Sequence, residues 1–159
     1  MKLIRTFVFV IATAAVAVAA KPQKAVDLDT IKDKVNIKLG QEFHIKFSAD
    51  GDQLRQPKRF KGTDGGNASI TISLQVTDCT PVPVKGVATR PYLTVSNRFE
   101  RTLHYRALAR VKGSQEFFEI SEGLTPVDSG EAANKCWESG SLVEEVVLYQ
   151  FSLSDKPSS

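Results

Sequence analysis

A strict two-residue alternation runs through the middle of the chain. In SITISLQV, residues 69–76, Ile70, Ile72, Leu74 and Val76 fall on one side and Thr71, Ser73 and Gln75 on the other. Only an extended backbone sends successive side chains to opposite faces, so this segment buries its apolar set as a strand whose other face meets solvent. VNIKLG repeats the pattern through Val35, Ile37 and Leu39, and FHIKF through Phe43, Ile45 and Phe47, with His44 and Lys46 on the opposite face. YLTVS, EFFEI, TLHYRALARV and SLVEEVVLYQFSLS extend the series.

In TLHYRALARV, Leu103, Tyr105, Ala107, Ala109 and Val111 form the expected core face, which leaves Arg106 and Arg110 solvated beside His104 and Leu108. Leucine, alanine and arginine also favour helix, but the alternation and the VKG break select strand. In the last segment Val143, Val147, Tyr149, Phe151 and Leu153 are expected to point inward. Glu145 breaks that phase, so a bulge is expected near Glu144 and Glu145.

Between the runs lie breakers. Residues 48–67, SADGDQLRQPKRFKGTDGGN, read as a long surface loop. TPVPVKGVATRP, residues 80–91, reads as a rigid edge or extended connection, because proline cannot donate a ladder hydrogen bond. SGEAANKCW accommodates a short helix capped by Ser129. The sum is an all-β chain, expected as an antiparallel β-sandwich that is immunoglobulin-like in general architecture, with a partly closed β-barrel as the second choice. Trp137 follows Cys136 directly, unlike the tryptophan that lies between the bridged cysteines of antibody domains.

The first residues place the chain in a compartment. Lys2 and Arg5 precede the apolar run FVFVIATAAV, which is too short to span a bilayer, and the small residues AVAA follow. This pattern makes residues 1–20 a cleaved export signal peptide, with cleavage after Ala19 or Ala20. Residues 21–34 then form a polar N-terminal arm, 35–155 a single β-rich domain and 156–159 a flexible C-terminal tail. The short basic region and alanine-rich run point to the periplasm first and the extracellular space second, with no stable membrane span once the signal is cleaved. Loss of Lys2 and Arg5 leaves 19 of the 21 Lys and Arg against 18 acids, a net charge of +1 instead of +3. Nucleic acid is therefore not the expected partner.

Export also sets the state of the two cysteines. Outside the reducing cytosol, Cys79 and Cys136 are expected to form one disulfide, worth about 4 kcal/mol on the chain-entropy account. There is no C-x-x-C spacing for thiol exchange, and Trp137 is expected to pack beside the bond.

No catalytic, cofactor or metal residue is assigned. The chain has no G-x-S-x-G elbow, no H-E-x-x-H and no phosphate loop. His44 and His104 both sit on polar faces, DGDQ and DGGN fall short of a calcium loop, and adjacent Glu144 and Glu145 are not a paired acid and base. The positive feature is basic and aromatic. Arg55, Lys58, Arg59 and Lys61 surround Phe60, and Arg98 and Arg101 follow later beside Phe99. Such a surface fits an acidic protein or an anionic envelope glycan. Asn67 opens an N-A-S glycosylation acceptor for a eukaryotic source. The function expected is a noncatalytic periplasmic or secreted binding or adaptor domain. The alternatives are a secreted inhibitor or toxin-like effector using a projecting loop within residues 50–67, and a small hydrolase or sugar-processing enzyme in which His44 or His104 meets a carboxylate.

Overall fold

The computed structural model describes residues 26–60, 69–79, 89–120, 124, 126–138 and 142–155. The expected signal peptide, Lys61, Asn67 and the residues after Asp155 lie outside the described residues, as does the PVPVKG stretch. Nine strands run in chain order: β1 (Val35–Lys38), β2 (Gln41–Asp50), β3 (Gln53–Phe60), β4 (Ile70–Thr77), β5 (Arg90–Asn97), β6 (Thr102–Val111), β7 (Phe118–Ile120), β8 (Ala132–Cys136) and β9 (Val143–Ser154). They form one antiparallel sheet in the order β7-β6-β9-β3-β2-β4-β5-β8, with β1 also on β9, curled into a half-barrel.

The alternation of β4 does what its period requires. Ile70, Ile72 and Leu74 are fully buried, and Ile72 and Leu74 sit opposite Val95 and Leu93 of β5 on the concave side. Each such side chain removed from water contributes about 1.5–3 kcal/mol. Thr71, Ser73, Thr94 and Ser96 share the outer face.

β9 is the hub, and it changes phase twice. Opposite Arg110 and Val111 of β6 stand Glu145 and Val143, so Glu144 is an extra residue, at the position expected from the interrupted pattern. Opposite the single residue Tyr105 stand Gln150 and Phe151, a second bulge in which Gln150 has φ +54°. The two resets put Val143, Val146, Leu148, Phe151 and Leu153 in the main core. Val147 and Tyr149 are buried too, but on the outer face instead of the expected inner one. There they join Leu108 and Phe117 in a second cluster covered by Val26, Leu28 and Ile31 of the arm. The arm has one 3-10 turn, Leu28–Thr30, whose capping Asp27 accepts the Asp29 N–H at 3.0 Å.

Two segments depart from expectation. The first part of the expected loop is a β-hairpin that turns at Gly51, φ +59°, and runs on through β3 to Phe60. Leu54 anchors it in the core, and Pro57 is accommodated because the strand bulges there: Phe47 faces both Gln56 and Pro57. The expected helix at 129–137 is strand β8, paired with β5 from Tyr92↔Cys136 to Ser96↔Ala132. Ladder pairing with β5 overrides the helix propensity of its two alanines.

Cys79, just beyond β4, is bonded to Cys136 at the end of β8, 57 positions further along the chain, with Cα atoms 6.1 Å apart. Trp137 packs half-buried against the core next to this bond and donates its backbone N–H to the Pro91 carbonyl at 3.2 Å.

Candidate functional site

The sheet forks where β9 changes neighbour. β1 flanks β9 from Glu145 to Leu148, β3 meets it only at Ser152, and Gln150 lies between. The arm crosses this fork on its way into β1 and leaves a cleft of about 380 Å³, lined among others by Lys32, Asp33, Gln53, Arg55, Tyr149 and Gln150. Asp33 has φ +52° and Gln56 φ +50°, so three of the four non-glycine residues with left-handed backbones among the described residues gather here. Such conformations cost about 1–3 kcal/mol each and concentrate where a function keeps them. The Asp33 carboxylate accepts the Gln56 N–H at 2.8 Å and faces the Arg55 guanidinium at 3.4 Å.

The β3 bulge decides which basic residues share a face. Ser48 pairs with Arg55 and Lys46 with Lys58, so Arg55 and Lys58 both project outward, with Lys46 directly across from Lys58. Among the described residues neither lysine has an ion-pair partner. Like charges directly opposite on a ladder are destabilising.

The other basic residues are distributed elsewhere. Arg59 lies opposite Ile45 on the concave side, 4.1 Å over the Phe43 ring, and donates to the Asn36 carbonyl. Phe60 ends β3 opposite His44. Arg101 is held by Asp52 at 2.7 Å and Asp155 at 2.5 Å; these hydrogen bonds, Asp52 first, raise its pKa. Glu100 and Asp128 line a cavity with it, so that end of the molecule is not basic. Arg98 is exposed next to it and gives its backbone N–H to Ser69. Arg101 thus meets the β2–β3 turn through Asp52, whereas Arg55 and Lys58 project from the outer face of β3.

Arg106 is exposed as expected and Arg110 is partly covered, and both are ion-paired. Arg106 bonds Glu119 and lies over Tyr149, while Arg110 reaches Glu144 at 2.5 Å and Glu145 at 2.6 Å and lies over Phe117. The hydrogen bond that Arg110 donates to Glu145 is the largest cause of its raised pKa.

His44 Nδ1 is 3.0 Å from Thr71 Oγ1, with the Glu42 carboxylate 4.0 Å from Nε2, and His104 Nε2 is 2.8 Å from Ser154 Oγ. Neither histidine lines the arm cleft, the Arg101 cavity or the apolar cleft described next. Among the described residues no group of three His, Cys, Asp or Glu is placed to hold a metal ion, and no helix is long and apolar enough to cross a membrane.

At the disulfide end, Leu39, Val76 and Leu142 line one cleft of about 280 Å³ together with Pro91. They are 37%, 51% and 59% exposed. The alternation assigns Leu39 and Val76 to the core, but Leu39 lies in the turn after β1 and Val76 next to the end of β4, where neither is covered.

Lys46 and Asp33 are the members of the site that sequence reasoning passed over. Lys46 was legible as outward; its position opposite Lys58 depends on a register that residue types do not reveal. No family model, curated protein or solved structure matches the chain.

Proposed function

We propose that the chain is a noncatalytic binding or adaptor domain, exported to the periplasm or, as second choice, the extracellular space, which holds an acidic protein surface on the outer face of β2 and β3. Lys46, Arg55 and Lys58 are its contact cations. An immunoglobulin-like presentation of turns from a braced β body belongs to the same reading. The observation that carries it is the Lys46–Lys58 pair: a repulsive cross-strand contact that an acidic partner would neutralise.

The test is titration of fluorescein-labelled decaglutamate into the exported protein, with oligogalacturonate in parallel. Decaglutamate is expected to bind in a salt-sensitive manner. Lys46→Gln with Lys58→Gln should weaken it by about tenfold, equivalent to about 1.4 kcal/mol. Equal binding by the parent and the double variant refutes this surface, and preference for oligogalacturonate assigns the face to an anionic glycan instead.

A further inference from the structure

We infer that the corner formed by Arg55 and the Gln56 N–H is a carboxylate-binding site that the chain fills with its own Asp33, and that an acidic side chain of the partner protein takes its place. This inference rests on the acidic-partner reading above and adds the point of entry.

The geometry shows a carboxylate already in position. One Asp33 oxygen accepts the Gln56 N–H at 2.8 Å, which is a full hydrogen bond, whereas the other stands 3.4 Å from Arg55 Nη1. Charge-assisted contacts of this type close to about 2.7–2.9 Å when geometry permits, so the guanidinium is incompletely engaged. Its side chain is 49% exposed, and an incoming carboxylate can reach it from solvent.

Both Asp33 and Gln56 keep left-handed backbones while this contact lasts. Release of Asp33 would free the arm residue from that conformation, while a free ligand has no such constraint. Room is present beside the contact, because the arm cleft of about 380 Å³ opens along Arg55 and is bordered by the amide-bearing Gln53 and Gln150 and by Lys32. These groups offer donors to a peptide backbone or a second acidic side chain.

A peptide ligand is favoured over a sugar for two reasons. The present occupant is itself an aspartate of a polypeptide segment, and the aromatic residues of the cleft, Tyr149 and Phe151, are buried and offer no ring face for stacking. The Asp33 side chain therefore acts as a tethered competitor. If it holds the site nine-tenths of the time, apparent affinity for an outside carboxylate falls by about tenfold.

The experiment compares decaglutamate binding to the full exported protein and to its Asp33→Ala, Asp33→Asn and Asp29→Asn variants, each also combined with Arg55→Gln. Asp33→Ala is expected to bind about tenfold more tightly than the parent. Asp33→Asn keeps an oxygen for Gln56 and guards against disruption of the arm, and it should also tighten binding. Asp29→Asn removes an equal charge from the same arm without touching Arg55 and should change little. The gain should vanish in the Arg55→Gln background.

Equal gains from Asp29→Asn and Asp33→Asn, or persistence of the gain without Arg55, would reduce the effect to net charge and overturn the inference. Parent binding that depends on Lys46 and Lys58 but is indifferent to both Asp33 variants would also overturn it, leaving the adaptor reading intact. Absence of decaglutamate binding in every variant would remove both. A gain seen with oligogalacturonate alone would overturn the peptide assignment.

Discussion

Lys46 and Lys58 stand directly opposite each other on the outer face of the β2–β3 ladder. Changing one sign across such a pair reverses its contribution to stability. Lys58→Glu is expected to raise stability by about 0.5 kcal/mol while weakening decaglutamate binding by about tenfold. Urea unfolding and the binding titration read the two effects on the same sample. A variant that loses stability, or that keeps its binding, contradicts the arrangement.

The Cys79–Cys136 bond connects the far end of β4 to the outermost strand β8. Replacing both cysteines with alanine should lower unfolding free energy by about 3–4 kcal/mol. Hydrogen exchange should then rise first in β8, whose only ladder among the described residues is with β5. Uniform acceleration across all strands would show that the bond does not act locally.

Arg110 joins Glu144 and Glu145, and Glu145 is only 8% exposed. Arg110→Ala leaves that carboxylate with only the Asn36 amide at 3.4 Å as a partner among the described residues, and should cost about 2–3 kcal/mol in urea unfolding. Arg110→Lys should recover only part of the loss, since an ammonium cannot bond both glutamates in the plane of a guanidinium. Full recovery by lysine would reduce the contact to simple charge.

Tyr105 is 3% exposed, and its hydroxyl has no hydrogen-bond partner among the described residues. Tyr105→Phe should therefore stabilise the fold by about 1 kcal/mol at neutral pH. Burial also raises the phenol's pKa above its ordinary 10.0. The unfolded chain then releases this proton first, so the stability linked to it is complete below pH 10 and declines as pH rises beyond. The phenylalanine variant should show a shallower alkaline decline, measured as urea midpoints from pH 8 to 11. Parallel declines would mean that the hydroxyl is hydrated.

The proposed export route has its own check. Edman sequencing of protein recovered from the periplasm or medium should begin at Ala20 or Lys21, and an intact Met1 would refute cleavage.

What could be read from residue order follows from where the burial signal is concentrated. Ile70, Ile72 and Leu74 alternate without interruption and lie in a central strand, so period and burial coincide. Glu145 betrayed the first β9 bulge because a charge stood where an apolar residue was due. Gln150 carried no such mark, since a glutamine on a strand face is ordinary; its bulge comes from the change of neighbour at the fork.

β3 was hidden for the converse reason. Among its described side chains only Leu54 is buried, and its strand form is imposed by pairing with β2. β8 is short and polar and buries little of itself, so alanine's helix preference dominated the local reading. For the candidate site, Arg55 and Lys58 were evident from charge. Their company was not, because Lys46 and Asp33 arrive through register and through the path of the arm. Arg101 was equally evident and equally basic, but Asp52 and Asp155 reach it from two remote points of the chain.

The twelve residues of β9 come last among the described strands and stand beside β1, β3 and β6. Val146, Leu148, Phe151 and Leu153 supply core that no earlier strand replaces. A polypeptide emerging from its N-terminus thus has no finished interior in this domain until β9 has been delivered. On the proposed export route this order would keep the chain threadable, because folding waits on β9.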